Sequence, residues 1–187
     1  STELTVLEAA KEWPGVYRID NVEFAGYLIE PGADNVSEGN NLYLWNTALA
    51  QTRMWVFTEA GDGYVYWHRR NNVSLVIQGG DLDSYPSMAK NTGDDTQKWK
   101  IIKDETSGNY RIQNKASGKY VATANDANQQ LIQMKEESAK TSLWIINELK
   151  ASISLEVSAS YLQTGKTTNF AAIAKDASGA VISSGIR

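Results

Sequence analysis

The sequence predicts an all-β protein whose main body is three similar units closed into one barrel. Three observations predict it. A tryptophan returns at Trp55, Trp99 and Trp144, at intervals of 44 and 45 residues, each time ahead of an apolar or β-favouring stretch (Val56-Phe57, Lys100-Ile101-Ile102, Ile145-Ile146). A second marker keeps step with it: Gly15-Val-Tyr-Arg-Ile-Asp-Asn21, Gly63-Tyr-Val-Tyr-Trp-His-Arg69 and Gly108-Asn-Tyr-Arg-Ile-Gln-Asn114. Between the markers the chain reads as short strands and polar turns, with no convincing helix. Self-similarity at a fixed period fixes architecture before any local assignment, and a unit this small cannot bury its apolar face alone. The three units must therefore share one core.

Composition agrees with a folded domain. The chain has 187 residues, of which 42% are hydrophobic and 21% charged, and six Trp, nine Tyr and three Phe supply bulk for a core. A net charge of −4 argues against nucleic acid or an anionic membrane as the main partner. No apolar run approaches the roughly 20 residues of a membrane span. With no Cys, disulfides, zinc thiolates and cysteine nucleophiles are excluded. No signal-peptide pattern is present, and a first residue of Ser fits a processed or excised chain.

Residues 1–14 form a lead-in. Thr5-Val-Leu-Glu8 fits a helix capping box as well as a strand over Leu4–Leu7, and Pro14 would stop any helix begun there. From 15 to 150 the three repeats fall at about 15–62, 63–107 and 108–150. Each opens on a half-buried alternating strand. A turn follows (Asn21–Gly26, Arg70–Ser74, Lys115–Gly118), then an apolar strand (Tyr27–Ile29, Leu75–Ile77, Tyr120–Ala122). Polar loops (Gly32–Asn41, Gly79–Ser87, Asn125–Gln130) lead to a third strand, clear in Leu42–Trp45 and Leu131–Met134 and weakly signalled in Ser87–Lys90. The Trp strand closes each unit.

These residues carry a resemblance. The Trp triplet, the full Gln-x-Trp at Gln97–Trp99, the repeated Gly-x-Tyr-x-Ile openings and the phrase Ser117-Gly-Lys-Tyr-Val121 resemble a ricin B-type lectin domain. That is the β-trefoil of carbohydrate-binding module family 13, and the resemblance covers about three quarters of the chain, residues 15–150. Residues 151–187 change to Ser, Ala, Thr and Gly, with candidate strands at Ile153–Val157, Gly165–Phe170 and Ala177–Ile182. They resemble half of a bacterial Ig-like sandwich, or a linker, as though the chain were a slice of a longer multidomain protein.

No convergent catalytic set is found. The only histidine is His68, and no nucleophile elbow, metalloprotease helix motif or phosphate-cradling loop is present. Asp81 with Asp83 and Asp94 with Asp95 are carboxylate pairs of the kind that form solvated turns. They offer too few converging oxygens for calcium, so no metal and no cofactor is predicted.

Sugar binding has a recipe these loops can meet: an aromatic ring for the C–H face of a pyranose, and carboxylate or amide groups for its hydroxyls. The resemblance implies one such site per repeat, with an acid near the end of the second strand, an aromatic ending the third and an amide before the Trp. In repeat one the acid falls near Ile29, with Glu30 the nearest acid, the aromatic on Trp45 with Asn46 beside it, and the amide on Thr52. Repeat two places the acid near Ile77, with Gln78 and Asp81 following, and the aromatic near Ala89, with Tyr85 close by in the loop. Repeat three has Ala122 for the acid, Met134 for the aromatic and Thr141 for the amide, leaving Asn125 and Gln133 as polar contacts. Trp55, Trp99 and Trp144 are expected in the core, with Trp67 facing inward beside them. Asp20, His68 and Gln113 share one equivalent place, expected near the barrel surface, and Arg69-Arg70 reads as an exposed strand end. The expected function is non-catalytic binding of a polysaccharide or oligosaccharide within a secreted or cell-surface multidomain bacterial protein. The rival is a trefoil spacer or protein-interaction module that binds no sugar.

Overall fold

A computed structural model describes residues 13–31, 36–46, 54–70, 72–123, 131–149, 152–156 and 171–175. The chain divides into two compact units, 1–148 and 149–187.

In the first unit, repeat one supplies β1 (Gly15–Asn21), β2 (Leu28–Glu30), β3 (Tyr43–Trp45) and β4 (Trp55–Gly61). Repeat two supplies β5 (Tyr64–Arg69), β6 (Asn72–Gln78), β7 (Ser87–Lys90) and β8 (Lys98–Lys103). Repeat three supplies β9 (Tyr110–Asn114), β10 (Tyr120–Thr123), β11 (Ile132–Lys135) and β12 (Trp144–Glu148). The first and last strands of the repeats close a ring of antiparallel pairs, β1–β4–β5–β8–β9–β12 and back to β1. The middle strands form three hairpins, β2–β3, β6–β7 and β10–β11. Backbone bonds join these hairpins into a cap: Leu42 N–H to Pro86 O (3.2 Å), Ile132 N–H to Leu42 O (3.0 Å) and Met134 N–H to Ser84 O (2.9 Å). Six barrel strands and three capping hairpins make a β-trefoil.

Alternation along the strands fills the barrel in threefold layers. Trp55, Trp99 and Trp144 form one layer, all fully buried, and Ile19, Trp67 and Ile112 form the next. Phe57, Ile101 and Ile146 follow, then Tyr17 and Val65 with the partly buried Tyr110. Trp67, the bulky member of its layer, meets Trp55, Trp99 and Phe57 edge-on at 5.1, 5.9 and 6.1 Å between ring centroids. Trp13, from the lead-in, lies against Tyr17, Phe57 and Tyr110. The rest of the lead-in, with its capping-box motif, is outside the described residues.

Each triplet indole spends its N–H in the same way. Trp55 donates to Ile29 O (2.9 Å), Trp99 to Ile77 O (2.9 Å) and Trp144 to Val121 O (2.8 Å). The bond ties the last strand of each repeat to its own hairpin. Two asparagines tie repeat to repeat: Asn21 donates to Thr141 O (3.0 Å) and Asn114 to Thr96 O (2.7 Å), while their carbonyls accept from the turns that follow. Arg69 holds the equivalent place in repeat two and is buried. Arg69 is therefore a wall residue, and only Arg70 of that pair is exposed.

Several sequence expectations shift. Ser87–Lys90 is a strand in full, because pairing with β6 and the cap bonds at Asn40 and Leu42 hold it despite its poor β propensity. The expected turn over Arg70–Ser74 is shorter, since β6 begins at Asn72 after a bulge against β5. Asp20 and His68 are buried, not surface residues. They point away from the barrel core yet are buried, and Asp20 is gripped by Arg18 while His68 Nε2 pairs with Thr58 Oγ1 at 2.8 Å.

The second unit shows one antiparallel pair, β13 (Ser152–Glu156) with β14 (Ala171–Lys175). The first expected strand overlaps β13, whereas Gly165–Phe170 and Ala177–Ile182 lie outside the described residues and β14 falls between them. A two-stranded ladder does not by itself define an Ig-like sandwich.

Two predictions follow from this packing. Gly79 has no room for a side chain: a Cβ there would meet Trp99 Cη2 at 2.6 Å and Asn114 Nδ2 at 2.8 Å. Both belong to side chains fixed by the bonds just described, so neither can move freely. Gly79→Ala should cost about 2 kcal/mol, seen as a drop of roughly 4–8 °C in thermal midpoint. A midpoint within 1 °C of wild type, about a quarter of the smallest drop that packing cost implies, would disprove the close packing.

The second concerns pH. His68 is the only histidine in the chain, and burial holds its pKa below the ordinary value, although contacts to the Val73 and Leu75 backbone oppose that. The unfolded chain therefore takes up this proton more readily than the folded one. Stability should be whole above about pH 6.5 and fall as the pH drops from there through the lowered folded value. Urea midpoints between about pH 5 and 8 should show this slope, and His68→Gln should flatten it.

Candidate functional site

Register sets the three repeats side by side more securely than spacing does. The residues that accept the Trp N–H (Ile29, Ile77, Val121) stand opposite Leu44, Met88 and Met134, and all six face the core. The next residues along, Glu30, Gln78 and Ala122, face outward and are opposite Tyr43, Ser87 and Gln133. The outward residues at the other end of each hairpin are Trp45, Ala89 and Lys135, opposite Leu28, Val76 and Tyr120.

This corrects the sequence alignment in two places. Met134 is a fully buried core residue, and the true equivalent of Trp45 in repeat three is Lys135. The acid position is the outward residue held by Glu30, Gln78 and Ala122, not the inward Ile29 and Ile77. A slip of one residue in a strand exchanges the two faces.

In repeat one the outward face of β2–β3 carries Glu30, Tyr43 and Trp45 together. Trp45 is 38% exposed, the exposed Asn46 follows it, and Glu30 and Tyr43 are half-buried. Glu30 and Trp45 are diagonal neighbours on one face, a relation that brings long side chains within reach of each other. Tyr43 was not anticipated, although its place two residues before Trp45 marks it for the same face. Thr52 lies outside the described residues.

Repeat two is built differently. Gln97, of the Gln-x-Trp phrase, is buried and organises its loop: its amide donates to Lys90 O at 2.7 Å and its carbonyl accepts from Thr92 N–H at 2.8 Å. It also reaches the exposed Gln78 at 3.4 Å. The outward place of the aromatic is Ala89. Asp81 and Tyr85 are exposed on the loop, whose backbone is fixed by Ser84 Oγ donating to the Asp81 carbonyl and by Asp83 N–H donating to Met134 O at 2.8 Å.

Repeat three spends its polar groups on contacts within itself and to Asp83 of repeat two. Lys135 pairs with Asp83, Lys119 with Glu136, and Gln133 donates to Asp83 O at 3.3 Å. Asn125 lies outside the described residues. Thr141 contributes its backbone carbonyl to Asn21. Asp95 is bridged by Lys98 and Lys115, whose hydrogen bonds hold its carboxyl below the usual carboxylate range. Among the described residues no group of three His, Cys, Asp or Glu is placed to hold a metal ion, and no helix is long and apolar enough to cross a membrane.

Comparison with known proteins agrees with this architecture. Residues 95–176 match the family model for the ricin-type beta-trefoil lectin domain-like group. No curated protein sequence matches the chain. Among solved structures, the designed threefold-symmetric protein ThreeFoil superposes with a TM-score of 0.65 at 18% identity, covering 72% of this chain and 99% of ThreeFoil. SeviL, solved bound to asialo-GM1 saccharide, gives 0.58 at 19% identity over 72% of this chain and 98% of its own. The Polyporus squamosus lectin, bound to the epitope Neu5Acα2-6Galβ1-4GlcNAc, gives 0.64 at 14% identity over 78% of this chain and 52% of that one. At these identities the likeness is one of fold.

Proposed function

We propose that this ricin-type β-trefoil is a non-catalytic carbohydrate-binding module that works through repeat one. The observation that carries the reading is the outward face of β2–β3, where an exposed Trp45 shares a surface with Glu30, Tyr43 and Asn46. The indole offers a flat apolar platform for a pyranose face, and the carboxylate and amide offer partners for its hydroxyls. The lectin-like family match and the saccharide-bound lectins among the structural neighbours support carbohydrate as the ligand class. Galactose-containing glycans are the first to test, since the Polyporus lectin's epitope contains galactose.

Repeats two and three hold Ala89 and Lys135 in the aromatic place, so among the described residues repeat one alone pairs an aromatic there with an acid. A single shallow site binds weakly, with a dissociation constant on the order of 1 mM, or about −4 kcal/mol. Avidity on a polymer would come from linkage to other modules. We infer a secreted or cell-surface multidomain bacterial protein as the setting, because polysaccharides of this kind are met outside the cell.

Affinity electrophoresis through gels containing galactan or other neutral and acidic polysaccharides tests the reading. Wild type should be retarded by one polymer class, and Trp45→Ala should weaken that binding roughly tenfold; because Trp45 is 38% exposed and so partly packed, the comparison is made well below the melting temperature of both proteins. Lys135→Ala, at the equivalent place in repeat three, should migrate like wild type. Retardation that survives Trp45→Ala would move the site to another repeat. No retardation by any polymer would favour a spacer module.

A further inference from the structure

The outward face of the repeat-one hairpin continues beyond that hairpin. Side chains two apart on a strand share a face, so Trp45, Tyr43 and Asn41 stand in line, while Leu42 and Leu44 between them are buried. At Asn41 the line meets repeat two: Asn41 is bridged to Ser87, and Ser87 is opposite Gln78 on β6. Directly opposite residues of antiparallel strands share a face. The backbone is fixed at the crossing, where Leu42 N–H donates to Pro86 O at 3.2 Å and Met88 N–H to Asn40 O at 2.8 Å. No member of the strip Trp45–Tyr43–Asn41–Ser87–Gln78 is buried: Trp45 and Gln78 at its ends are exposed, and Tyr43, Asn41 and Ser87 are half-buried.

The strip changes character along its length. Two aromatic rings come first, then an amide, a hydroxyl and a second amide, none of them charged. Gln78 is oriented from beneath: its Oε1 accepts from the buried Gln97 Nε2 at 3.4 Å, and Gln97 is itself bonded to Lys90 O and Thr92 N–H. With its oxygen so engaged, the Gln78 amide offers N–H donors to a ligand. The one full Gln-x-Trp phrase thus supports the far end of the strip. The charge beside it is Glu30, opposite Tyr43, which repels an acidic sugar and favours a neutral one. The other exit from Tyr43 offers less: its partner across the seam with repeat three is Leu131, and beyond it Gln133 donates to Asp83 O at 3.3 Å.

We infer that this strip is an extended subsite joining repeat one to repeat two across the cap, and that its ligand is a neutral oligosaccharide chain. One sugar ring stacks on Trp45 and the next on Tyr43. The following units turn at Asn41 and meet the Ser87 hydroxyl and the Gln78 amide with their own hydroxyls. The strip runs from Trp45 to Asn41 along β3, about 13 Å, and then crosses two strand spacings, roughly 10 Å. A monosaccharide covers one end of it only. Repeat two, without an aromatic or an acid at the family's places, therefore prolongs the site of repeat one. The inference rests on the proposed role of Trp45 and adds residues of the second repeat to it.

Isothermal titration with galactose and with β-1,4-linked galactobiose and galactotetraose tests it, alongside chemical-shift mapping of the Trp45 indole and the Gln78 side-chain amide. Galactobiose can cover the two rings, and the tetraose reaches past them to Ser87 and Gln78. Wild type should bind the tetraose roughly tenfold more tightly than galactobiose, as expected for two added neutral hydrogen bonds. Counting alone gives about threefold, because a tetraose contains three overlapping biose units. Gln78→Ala combined with Ser87→Ala should bring the gain down to that statistical level. Gln78→Ala alone, at an exposed position that does not endanger the fold, should bring it to roughly fivefold. The tetraose should shift both the indole and the amide, and galactose the indole alone. A tenfold gain kept by the double variant, a gain of about threefold or less in wild type, or a tetraose that leaves the Gln78 amide unshifted would overturn the strip. The Trp45 site would stand in each case if Trp45→Ala still weakens galactose binding. Failure of all three sugars to bind would overturn both.

Discussion

The structure depends on one bond made three times: a buried indole N–H reaching the carbonyl of its own second strand. An unpaired N–H in the barrel centre costs free energy comparable to a lost hydrogen bond, a cost that Trp67 Nε1 bears among the described residues and that the triplet avoids. The partner of each triplet N–H must lie at a fixed distance and direction, and that requirement sets where each capping hairpin meets the barrel. The Trp99 ring in turn forbids a Cβ at Gly79, and Asn114 closes the same corner from the next repeat. From this bond outward, threefold geometry is imposed on three stretches of sequence that otherwise differ.

The constraint acts on one face only. Core places vary within narrow limits, Leu44 against Met88 and Met134, because they must fill the same layer. Outward places answer to no such demand, and Trp45, Ala89 and Lys135 have nothing in common beyond their register. Each repeat has used that freedom differently. Repeat three has turned its surface into ion pairs, and repeat two has buried a histidine between valines. A threefold scaffold need not have threefold function.

The difference in legibility follows from the same physics. The Trp triplet, the inward Trp67 and the four-strand rhythm were readable because burial and hydrogen bonding demand particular residues at particular intervals. Outward places were harder. The separation between each Trp and its carbonyl partner is 26, 22 and 23 residues, so loops differ in length and counting back from the Trp loses the register. That puts Met134 in the aromatic position that Lys135 holds. Charge usually means exposure, yet Arg69 and Asp20 are both buried, Asp20 with Arg18 as its partner. Ser87–Lys90 is a strand because its neighbours pair with it, a fact that local propensity does not record.

The juxtaposition of Asp20 with Ile145 belongs to a further level that no local reading reaches. Asp20 and Ile145 lie at opposite ends of the trefoil sequence, and they meet only because β12 closes the barrel against β1. Ring closure thus makes the wall between the first and last repeats one of mixed origin. In repeats two and three the equivalent places, His68 and Gln113, are likewise opposite the last strand of the preceding repeat, at Val56 for one and Lys100 for the other. Packing that spans such a seam changes whenever either contributing repeat changes. The surroundings of Asp20 therefore depend on a strand that belongs to repeat three, and have to be read across the closed ring.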